Sequence, residues 1–415
     1  MKKRIFGVTL ISAILAQTIC SYALELTSDA AIVTDAETGE CYYEMNADEP
    51  LAPASMTKVM TAYIIYEKMD DGFFTKDTLI TADEDDEAEA DDPEATNVDI
   101  VAGEAYTVDE ILGAILVPSA CAACEMIGKY ISGSKEAFVS LMNQTVGSLG
   151  LEAYYEDASG LSDNNRISAR SMAQLARTLI TKHPDVLNYT SKQSVTFGGK
   201  TYNSTNSMLP GRSYEYSGVD GLKTGTTTLA GCCFTGTALN NGHRLISVTM
   251  HSQSGSERFS DTKCLLDFGF DRINYLYNNL FCTDMRLFIN GAEVPAFVTL
   301  GGTPKLCLLL EDLKDYGFSV YWDKNTNTIS AEYIPGQQFT PIPMDYYKTL
   351  MPAEIYLPIL SDYDTKAELI FDKTRYSINE VFPLGFYTAI PVDELVNIAK
   401  SGEWNSVERR FDITL

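Results

Sequence analysis

Ser55 and Lys58, a serine and a lysine three residues apart, are residues whose types and spacing could do covalent chemistry. They open an apolar run just after Pro53, a pattern that predicts the first turn of a buried helix with both side chains on one face. A lysine whose pKa is lowered by burial can take the proton of a nearby hydroxyl, and a helix N-terminus offers N–H groups to developing negative charge. We therefore interpret Ser55 as a nucleophile and Lys58 as its base.

The spacing does not single out this pair by itself, because Ser132 and Lys135, and Ser260 and Lys263, repeat it. An exposed pair on a helix surface is the alternative interpretation for each of them. The choice among the three pairs depends on the other motifs of the chain.

A Lys-Thr-Gly sequence, formed by Lys223, Thr224 and Gly225, occurs once and is followed by Thr226. If it lies on a strand, Lys223 and Gly225 share one face while Thr224 points to the other. We expect the glycine to let a ligand's backbone approach closely. A lysine beside a cluster of hydroxyls suits recognition of a carboxylate, so this stretch is a candidate binding strand.

Length and charge restrict the class of protein. The 415 residues allow two or three domains and a substantial core. A formal net charge of −26 argues against nucleic acid or an anionic membrane surface as a partner, because both would repel the chain.

Residues 1–23 have the pattern of an export signal, with a basic start, an apolar stretch at 5–19 and a small-x-small sequence at 21–23. Removing them would take away three positive charges and change the net charge from −26 to −29. An uncleaved N-terminal anchor is the alternative. We expect an exported protein that acts outside the cytoplasm, in the cell wall or secreted.

Eight of the nine cysteines lie outside this signal, and eight cysteines allow 105 pairings, none of which the spacing selects. Cys121 and Cys124 form a C-x-x-C sequence, but no second pair or histidine cluster completes a zinc site. We favour structural thiols, and we expect neither a metal nor a cofactor.

The chain alternates strand and helix patterns up to about residue 276. A hairpin is predicted at 30–44, strands at 221–251 with an Asn-Gly turn, and helices between and after them. Nine of the twelve residues in 83–94 are acidic, which predicts a solvated, mobile loop. Strands at both ends with helices inserted between them imply an antiparallel sheet assembled from distant parts of the sequence. The predicted helices are 55–69, 107–130 with a break at 117–119, 135–149, 168–182 and 257–268.

An internal repeat follows. Trp322 lies nine residues after Leu313 and seven before Ile329, and Leu395, Trp404 and Phe411 have the same spacing. Each copy predicts strands, a short helix and a closing hairpin with its tryptophan in the core, a packing role rather than a ligand platform. We place the repeats at 277–335 and 336–415.

The Ser-x-x-Lys and Lys-Thr-Gly sequences and their flanks, taken together, resemble the serine-type D-alanyl-D-alanine carboxypeptidases, the low-molecular-mass penicillin-binding proteins. The resemblance covers roughly residues 27–276, and its matches are colinear: 35–39, 53–62, 103–108, 142–143, 168–177, 221–225 and 265–270. It implies an α/β (α+β) transpeptidase fold of the β-lactamase and penicillin-binding-protein type for residues 24–276. In that fold an antiparallel sheet is flanked by helices and carries an inserted helical subdomain.

The resemblance implies that Ser55 attacks the D-Ala-D-Ala peptide carbonyl with Lys58 as base, and that β-lactams acylate the same serine. Backbone N–H groups of Ser55 and Thr226 would form the oxyanion hole. Lys223 and Thr224 would hold the terminal carboxylate beside Gly225. Arg258 would assist them.

The middle motif departs from the family's usual Ser-x-Asn, since Ser119 is followed by Cys121 and then by Ala122 where Asp is common. Ser119 can still relay a proton, but a thiol is a weak donor and acceptor where an amide would meet the substrate. A literal Ser-Asp-Asn at 162–164 is interpreted as turn chemistry.

These features predict a carboxypeptidase that trims D-Ala from peptidoglycan stem peptides. The alternatives are a weakened penicillin-binding or wall-binding protein on the same fold and, with less support, a β-lactamase. The C-terminal repeats resemble the small N-terminal domain of copper amine oxidase-like proteins through residues 289–291, 311–313, 316–318 and 320–323. That resemblance brings no metal, and it leaves open whether the repeats bind cell wall or a protein partner.

Overall fold

The structure is a computed structural model, and the chain in it forms two compact units that divide between Asp271 and Arg272. The residues it describes are 24–277, 279–282, 285–299, 305–323, 325–336, 356–358, 366–371, 373–383, 388–396, 399, 401–405 and 410–415. The predicted export signal at 1–23 lies outside the described residues. No helix among the described residues has both the length and the apolar character that a membrane crossing requires.

The first unit contains eleven strands among its described residues. They are β1 Ala30–Asp35, β2 Cys41–Met45, β3 Leu79–Thr81, β4 Ala105–Thr107, β5 Ala153–Tyr154, β6 Arg166–Ile167, β7 Ser194–Phe197, β8 Lys200–Asn203, β9 Val219–Thr227, β10 Gly231–Asn240 and β11 His243–Ser252. Five of them form an antiparallel sheet in the order β2-β1-β11-β10-β9, so the first hairpin pairs with the last one as predicted. The other six strands form three two-stranded sheets, β3-β4, β5-β6 and β7-β8, of which only the β7–β8 pair is a tight hairpin, and that hairpin was not predicted.

The helices of this unit are α1 Lys58–Asp70, α2 Glu84–Ala90, α3 Val108–Leu116, α4 Cys121–Ser132, α5 Lys135–Leu149, α6 Ala169–Lys182, α7 Leu187–Thr190 and α8 Gly255–Tyr277, the last of which continues past the division after Asp271. Short 3-10 turns precede α1 at Ala54–Thr57 and α7 at Pro184–Val186. The helices predicted at 107–130, 135–149 and 168–182 are confirmed, with the break at 117–119. The closing helix is longer than the predicted 257–268.

The sheet is covered on both faces. Alternate side chains of β1 and β11, including Ile32 and Val248, belong to the main apolar cluster with α1, α3, α4 and α6. On the other face, Gly269 of α8 lies against Val33 and Leu245. This helix-covered antiparallel sheet, with helices inserted between β2 and β9, is the predicted fold class.

The acidic run at 83–94 is not the solvated loop that was predicted, because most of it forms α2. Asp83 caps the helix by accepting from the backbone N–H of Asp85 and Asp86. Lys129 of α4 lies 2.7 Å from a carboxylate oxygen of Asp83 and 2.8 Å from one of Asp86, and Lys135 pairs with Glu89. Acidic residues in a first turn favour a helix, and lysines from α4 and α5 supply the opposite charge.

The second unit contains β12 Asn279–Cys282, β13 Arg286–Ile289, β14 Ala292–Val294, β15 Phe297–Thr299, β16 Leu306–Leu309, β17 Phe318–Asp323, β18 Thr328–Tyr333, β19 Tyr356–Pro358, β20 Lys366–Phe371, β21 Thr374–Ser377, β22 Phe382–Pro383, β23 Thr388–Pro391, β24 Ser401–Asn405 and β25 Arg410–Thr414. A 3-10 turn at Leu310–Tyr316 and helix α9 Val392–Val396 occupy equivalent places in the two repeats.

The two repeats interlock in this unit. The β13–β14 hairpin of the first copy pairs with the β24–β25 hairpin of the second, and β17–β18 pairs with β20–β21. Strands β16 and β23 pair with each other, with Leu308 opposite Ile390. One apolar cluster contains residues of both copies, so the two copies share sheets and a core.

The prediction that each tryptophan lies in the core is wrong for Trp322, which is 57% exposed near the end of edge strand β17. The core on this face is filled instead by Phe318 at the start of the same strand and by Ile329. The side chain of Trp404 lies outside the described residues.

Candidate active site

Ser55 and Lys58 meet at the start of α1. Ser55 lies in the 3-10 turn at Ala54–Thr57, and Lys58 is the first residue of the helix. The Ser55 Oγ is 2.9 Å from the Lys58 Nζ, and the Lys58 side chain is fully buried. A buried amine beside a half-buried hydroxyl is the arrangement that general-base activation of a serine requires.

Lys58 has two further partners that fix its amine. The Nζ donates to the Ser159 carbonyl at 2.7 Å and lies 3.3 Å from the Cys121 Sγ. With Ser55 these partners account for the three directions in which an ammonium donates. The amine is therefore held between α1, the start of α4 and residues 157–160, which we call the 157–160 turn.

The 157–160 turn is shaped by its own residues. The Asp157 carboxylate accepts from the backbone N–H of Ser159 at 3.0 Å and of Gly160 at 2.5 Å. Gly160 has φ +90°, and a Cβ there would lie 1.9 Å from the Ala54 carbonyl oxygen, so only glycine fits against the 3-10 turn. The sequence indicated a turn here, but neither the Ser159 carbonyl nor Gly160 was recognised as part of the site.

Gly225 brings strand β9 against the backbone around Ser55. A Cβ on Gly225 would lie 2.5 Å from the Pro53 carbonyl oxygen and 3.1 Å from the backbone nitrogens of Ser55 and Met56. This glycine therefore permits a close approach to the chain's own backbone, and its predicted close approach to a ligand stays a prediction. Without a side chain at this position, β9 can lie directly beside the Ser55 peptide.

Lys223 and Thr224 lie on the same strand. Lys223 is 1% exposed, and its Nζ donates to the Thr224 carbonyl at 3.0 Å. Burial, together with the charge of Lys58, holds the pKa of Lys223 well below its ordinary value. The Thr224 hydroxyl is 2.5 Å from that of Thr205, a contact that no sequence pattern indicated.

Arg258, from the first turn of α8, reaches the same strand. Its Nη1 donates to the Gly225 carbonyl at 2.9 Å and to the Thr226 hydroxyl at 2.8 Å. Its Nε is buried with no hydrogen-bond partner among the described residues, and burial lowers the pKa of the guanidinium. Within the part of the chain that the structure describes, no carboxylate pairs with Lys58, Lys223 or Arg258. The site therefore has positive charge available for an anion.

Ser119 and Cys121 lie at the junction of α3 and α4. Ser119 is 4% exposed and has φ +75°, an uncommon conformation for a residue with a side chain. Cys121 begins α4 and contacts Lys58 through its thiol. The structure thus brings Cys121 of the predicted middle motif to Lys58.

The Ser-Asp-Asn sequence at 162–164 forms its side-chain contacts within its own loop. The Ser162 hydroxyl and the Asn164 amide both donate to the Glu156 carboxylate, at 3.1 Å and 2.9 Å. These contacts fit its interpretation as turn chemistry.

In the other two Ser-x-x-Lys pairs the lysine contacts an acidic residue. Lys135 pairs with Glu89, and the Lys263 Nζ is 2.7 Å from the Asp267 carboxylate. The seven cysteines whose side chains the structure describes are all free thiols: Cys41, Cys121, Cys124, Cys232, Cys233, Cys264 and Cys307.

A profile of the D-alanyl-D-alanine carboxypeptidase family matches residues 16–254. Among curated proteins, the chain is similar to DacA of Escherichia coli, with 32% identity over 257 residues covering 59% of this chain and 61% of that one. It is equally similar, at 32% over 257 residues, to DacF of Bacillus subtilis, covering 60% and 64%. Both of those proteins are named D-alanyl-D-alanine carboxypeptidases, and this chain spans less than two thirds of the length of either.

Solved structures support the fold. Penicillin-Binding Protein D2 of Listeria monocytogenes, in its cefotaxime-bound form, is 34% identical, with 60% of this chain and 98% of that chain covered and a TM-score of 0.53. The PBP3 peptidoglycan synthesis regulatory factor of Streptococcus pneumoniae is 30% identical, with 68% and 83% covered and a TM-score of 0.58. The fold class is thereby confirmed, while the resemblance of the C-terminal repeats to copper amine oxidase-like domains stays a prediction. The chain belongs to the D-alanyl-D-alanine carboxypeptidase family.

Proposed function

We propose that the protein is an exported serine-type D-Ala-D-Ala carboxypeptidase that removes the terminal D-Ala from peptidoglycan stem peptides. The observation that carries this proposal is the 2.9 Å contact between Ser55 Oγ and the buried Lys58 Nζ, formed directly beside strand β9. Lys58 would accept the Ser55 proton as the hydroxyl attacks the peptide carbonyl. This step gives an acyl-enzyme on Ser55 and breaks the bond to the last D-Ala.

The charges of the site favour a substrate that ends in a carboxylate. Buried Lys223 and half-buried Arg258 lack a carboxylate partner in the described chain, although the protein as a whole carries a net charge of −26. An arriving carboxylate would satisfy the buried Nε of Arg258 or lie between Lys223 and the Thr224 hydroxyl. The terminal carboxylate of D-Ala-D-Ala and the carboxylate of a penicillin both have this chemistry.

The remaining roles are those that the family resemblance implies. Ser119 would pass the proton from Lys58 to the leaving amine, and backbone N–H groups of Ser55 and Thr226 would stabilise the oxyanion. Water would then hydrolyse the acyl-enzyme. Because peptidoglycan lies outside the cytoplasm, the proposal places the protein in the cell wall or in the secreted fraction.

Labelling and product release together test the proposal. Covalent labelling by a fluorescent penicillin should accompany release of D-Ala from a stem-peptide mimic. Rapid loss of the label would indicate a β-lactamase, and the absence of both signals would contradict an enzyme of either class.

A weakened penicillin-binding or wall-binding protein is the second candidate, and Cys121 is the observation that favours it. Its thiol contacts Lys58 at 3.3 Å where the family usually has an amide, a better donor and acceptor. If this alternative is correct, penicillin should label the protein, but the protein should release very little D-Ala. Cys121→Asn should then raise D-Ala release about fivefold or more, since one added hydrogen bond contributes about 1 kcal/mol. An unchanged rate in that variant would show that the thiol is not the limitation.

We expect Ser119→Ala to lower the acylation rate by about 100-fold or more, because proton transfer by a positioned side chain typically contributes 10²–10⁴-fold. Ser162→Ala, in the exposed Ser-Asp-Asn sequence, should acylate at the wild-type rate. Stopped-flow or gel-based labelling with a fluorescent penicillin measures both rates. Loss of acylation in the Ser162 variant alone would show that the middle motif is wrongly assigned.

We expect Lys223→Met to slow acylation by about 30-fold or more, because losing one partner of a buried charged contact costs 2–5 kcal/mol. The same change should raise the melting temperature, since it removes a buried ammonium. A lysine whose pKa is lowered by folding destabilises the protein while it is protonated in the unfolded chain. The gain should therefore be largest at acidic pH and disappear toward pH 10, as thermal unfolding across pH would measure. A melting temperature difference that grows with pH would contradict this sign.

A further inference from the structure

The 157–160 turn sets the position of the catalytic lysine, because the Ser159 carbonyl accepts from Lys58 at 2.7 Å. The adjacent Ala158 carbonyl accepts from the Thr61 hydroxyl at 2.6 Å, which ties the turn to α1 a second time. Both contacts orient carbonyl groups of the turn. The N–H side of the turn must be held by other groups if the Ser159 carbonyl is to stay on the amine.

Glu125 of α4 holds this side at Ala158, beside Asp157, which accepts from the N–H groups of Ser159 and Gly160. Its Oε1 accepts from the backbone N–H of Ala158 at 3.3 Å. Glu125 lies one helical turn after Cys121, so the two side chains share a face of α4, and both act on the surroundings of Lys58. The peptide unit between Ala158 and Ser159 therefore lies between two fixed groups. The Ala158 N–H donates to Glu125, and the Ser159 carbonyl accepts from Lys58.

Retaining a carboxyl group at this place costs stability. Neighbouring residues of the helix, Ala123, Met126 and Ile127, are buried in the apolar cluster, and Glu125 forms no ion pair within the described residues. Burial, together with the charge of Asp157, raises the pKa of Glu125 to about 7. An apolar residue would pack here without that penalty, so the carboxyl group calls for a functional explanation.

A cavity of about 730 Å³ connects Glu125 to the surroundings of the lysine. Cys121 and Ser159, both contacts of Lys58, also line it. The charged groups that face Glu125 or share this cavity come from every element packed around it: Lys58, Glu89, Asp92, Lys135, Glu136, Glu156 and Asp157. The open cavity lets Glu125 exchange protons with solvent.

We propose that Glu125 is a positioning residue that holds the Ser159 carbonyl on Lys58 and, through its own charge, sets how the rate of Ser55 acylation depends on pH. The inference rests on the proposed acylation of Ser55. An ionised Glu125 attracts the proton of Lys58, and the protonated amine cannot accept the proton of Ser55. Acylation should therefore rise less steeply with pH above neutrality than it would with an uncharged group at this position.

Two variants separate charge from positioning. Glu125→Gln keeps an oxygen for the Ala158 N–H and removes the charge. It should acylate at the wild-type rate at pH 5.5 and about threefold to tenfold faster at pH 8.5. Glu125→Ala loses the acceptor as well and should acylate about tenfold more slowly than the Gln variant at every pH.

Glu136→Gln is the matched control, since Glu136 lines the same cavity but its carboxylate is held at the start of α5 by its own backbone and by Ser134. Its pH profile should follow the wild-type profile within about twofold. The measurement is the second-order rate of labelling by a fluorescent penicillin from pH 5.5 to 9, with the melting temperature recorded at each pH. A purely structural role would shift the melting temperature and leave the shape of the profile unchanged.

The outcomes distinguish this inference from the proposed function. If the wild type is labelled but the Glu125→Gln profile superimposes on it, the control by charge is overturned. If Glu125→Ala acylates as fast as the Gln variant, the positioning role is overturned. A wild-type protein that takes no label contradicts the proposed function, and the inference falls with it.

Discussion

Replacing Ser55 with alanine should abolish covalent labelling by penicillin and lower D-Ala release by at least about 10⁴-fold. The Ser55 hydroxyl is the atom that Lys58 contacts at 2.9 Å, and without it no acyl-enzyme can form. Loss of a nucleophile that works as a unit with its base removes nearly the whole chemical contribution of the pair. Gel fluorescence after incubation with a labelled penicillin measures the first effect, and D-Ala release from a stem-peptide mimic measures the second.

Ser132→Ala and Ser260→Ala provide matched controls, since each alters a serine with the same spacing to a lysine. The lysines of those pairs are engaged by Glu89 and Asp267, so both variants should label at the wild-type rate. Label retained in the Ser55 variant would mean that another residue is the nucleophile. Loss of label in either control would mean that the spacing was matched to the wrong pair.

Gly225→Ala should lower the acylation rate by about 100-fold or more, although the substitution adds only one methyl group. The added Cβ would lie 2.5 Å from the Pro53 carbonyl oxygen, a backbone atom that cannot rotate away. Strand β9 or the 3-10 turn that carries Ser55 must then move, and a misplacement of about 1 Å can cost 10²-fold in rate. The same overlap should lower the free energy of unfolding by about 1–3 kcal/mol.

Gly147→Ala is the control for this substitution, because nothing lies within 4 Å of a Cβ placed there, on the exposed face of α5. It should leave acylation unchanged and stabilise the helix by about 0.5–1 kcal/mol. Acylation rates are measured by penicillin labelling, and stabilities by urea unfolding. A Gly225→Ala variant that unfolds and acylates like the wild type would show that β9 does not need to approach Ser55 so closely.

Much of the fold was predictable from local patterns. The Asn-Gly turn, the alternating strands around it and the apolar spacing of α3 to α6 produce β10, β11 and those helices. The acidic run at 83–94 was mispredicted because the charges that stabilise α2 come from Lys129 and Lys135, more than forty residues away along the chain. A window of sequence cannot contain such a partner.

The candidate site divides in the same way. The side chains with chemistry, Ser55, Lys58 and Lys223, stand in motifs with fixed spacing, so the sequence could indicate them. The groups that position these side chains do not belong to such motifs, because the Ser159 carbonyl is a backbone group that any residue would supply. The Glu125 contact depends on how α4 lies beside the 157–160 turn, and no spacing along the chain encodes that neighbour.

The exchange of hairpins between the two C-terminal repeats has a consequence for folding and for engineering. A chain that stopped after β18 would keep the first copy whole, yet β13, β16 and β18 would each present an unpaired edge. Half of a shared apolar cluster would meet water at the same time. Neither copy can therefore serve as a transferable module, and we expect this unit to fold and unfold cooperatively as one whole.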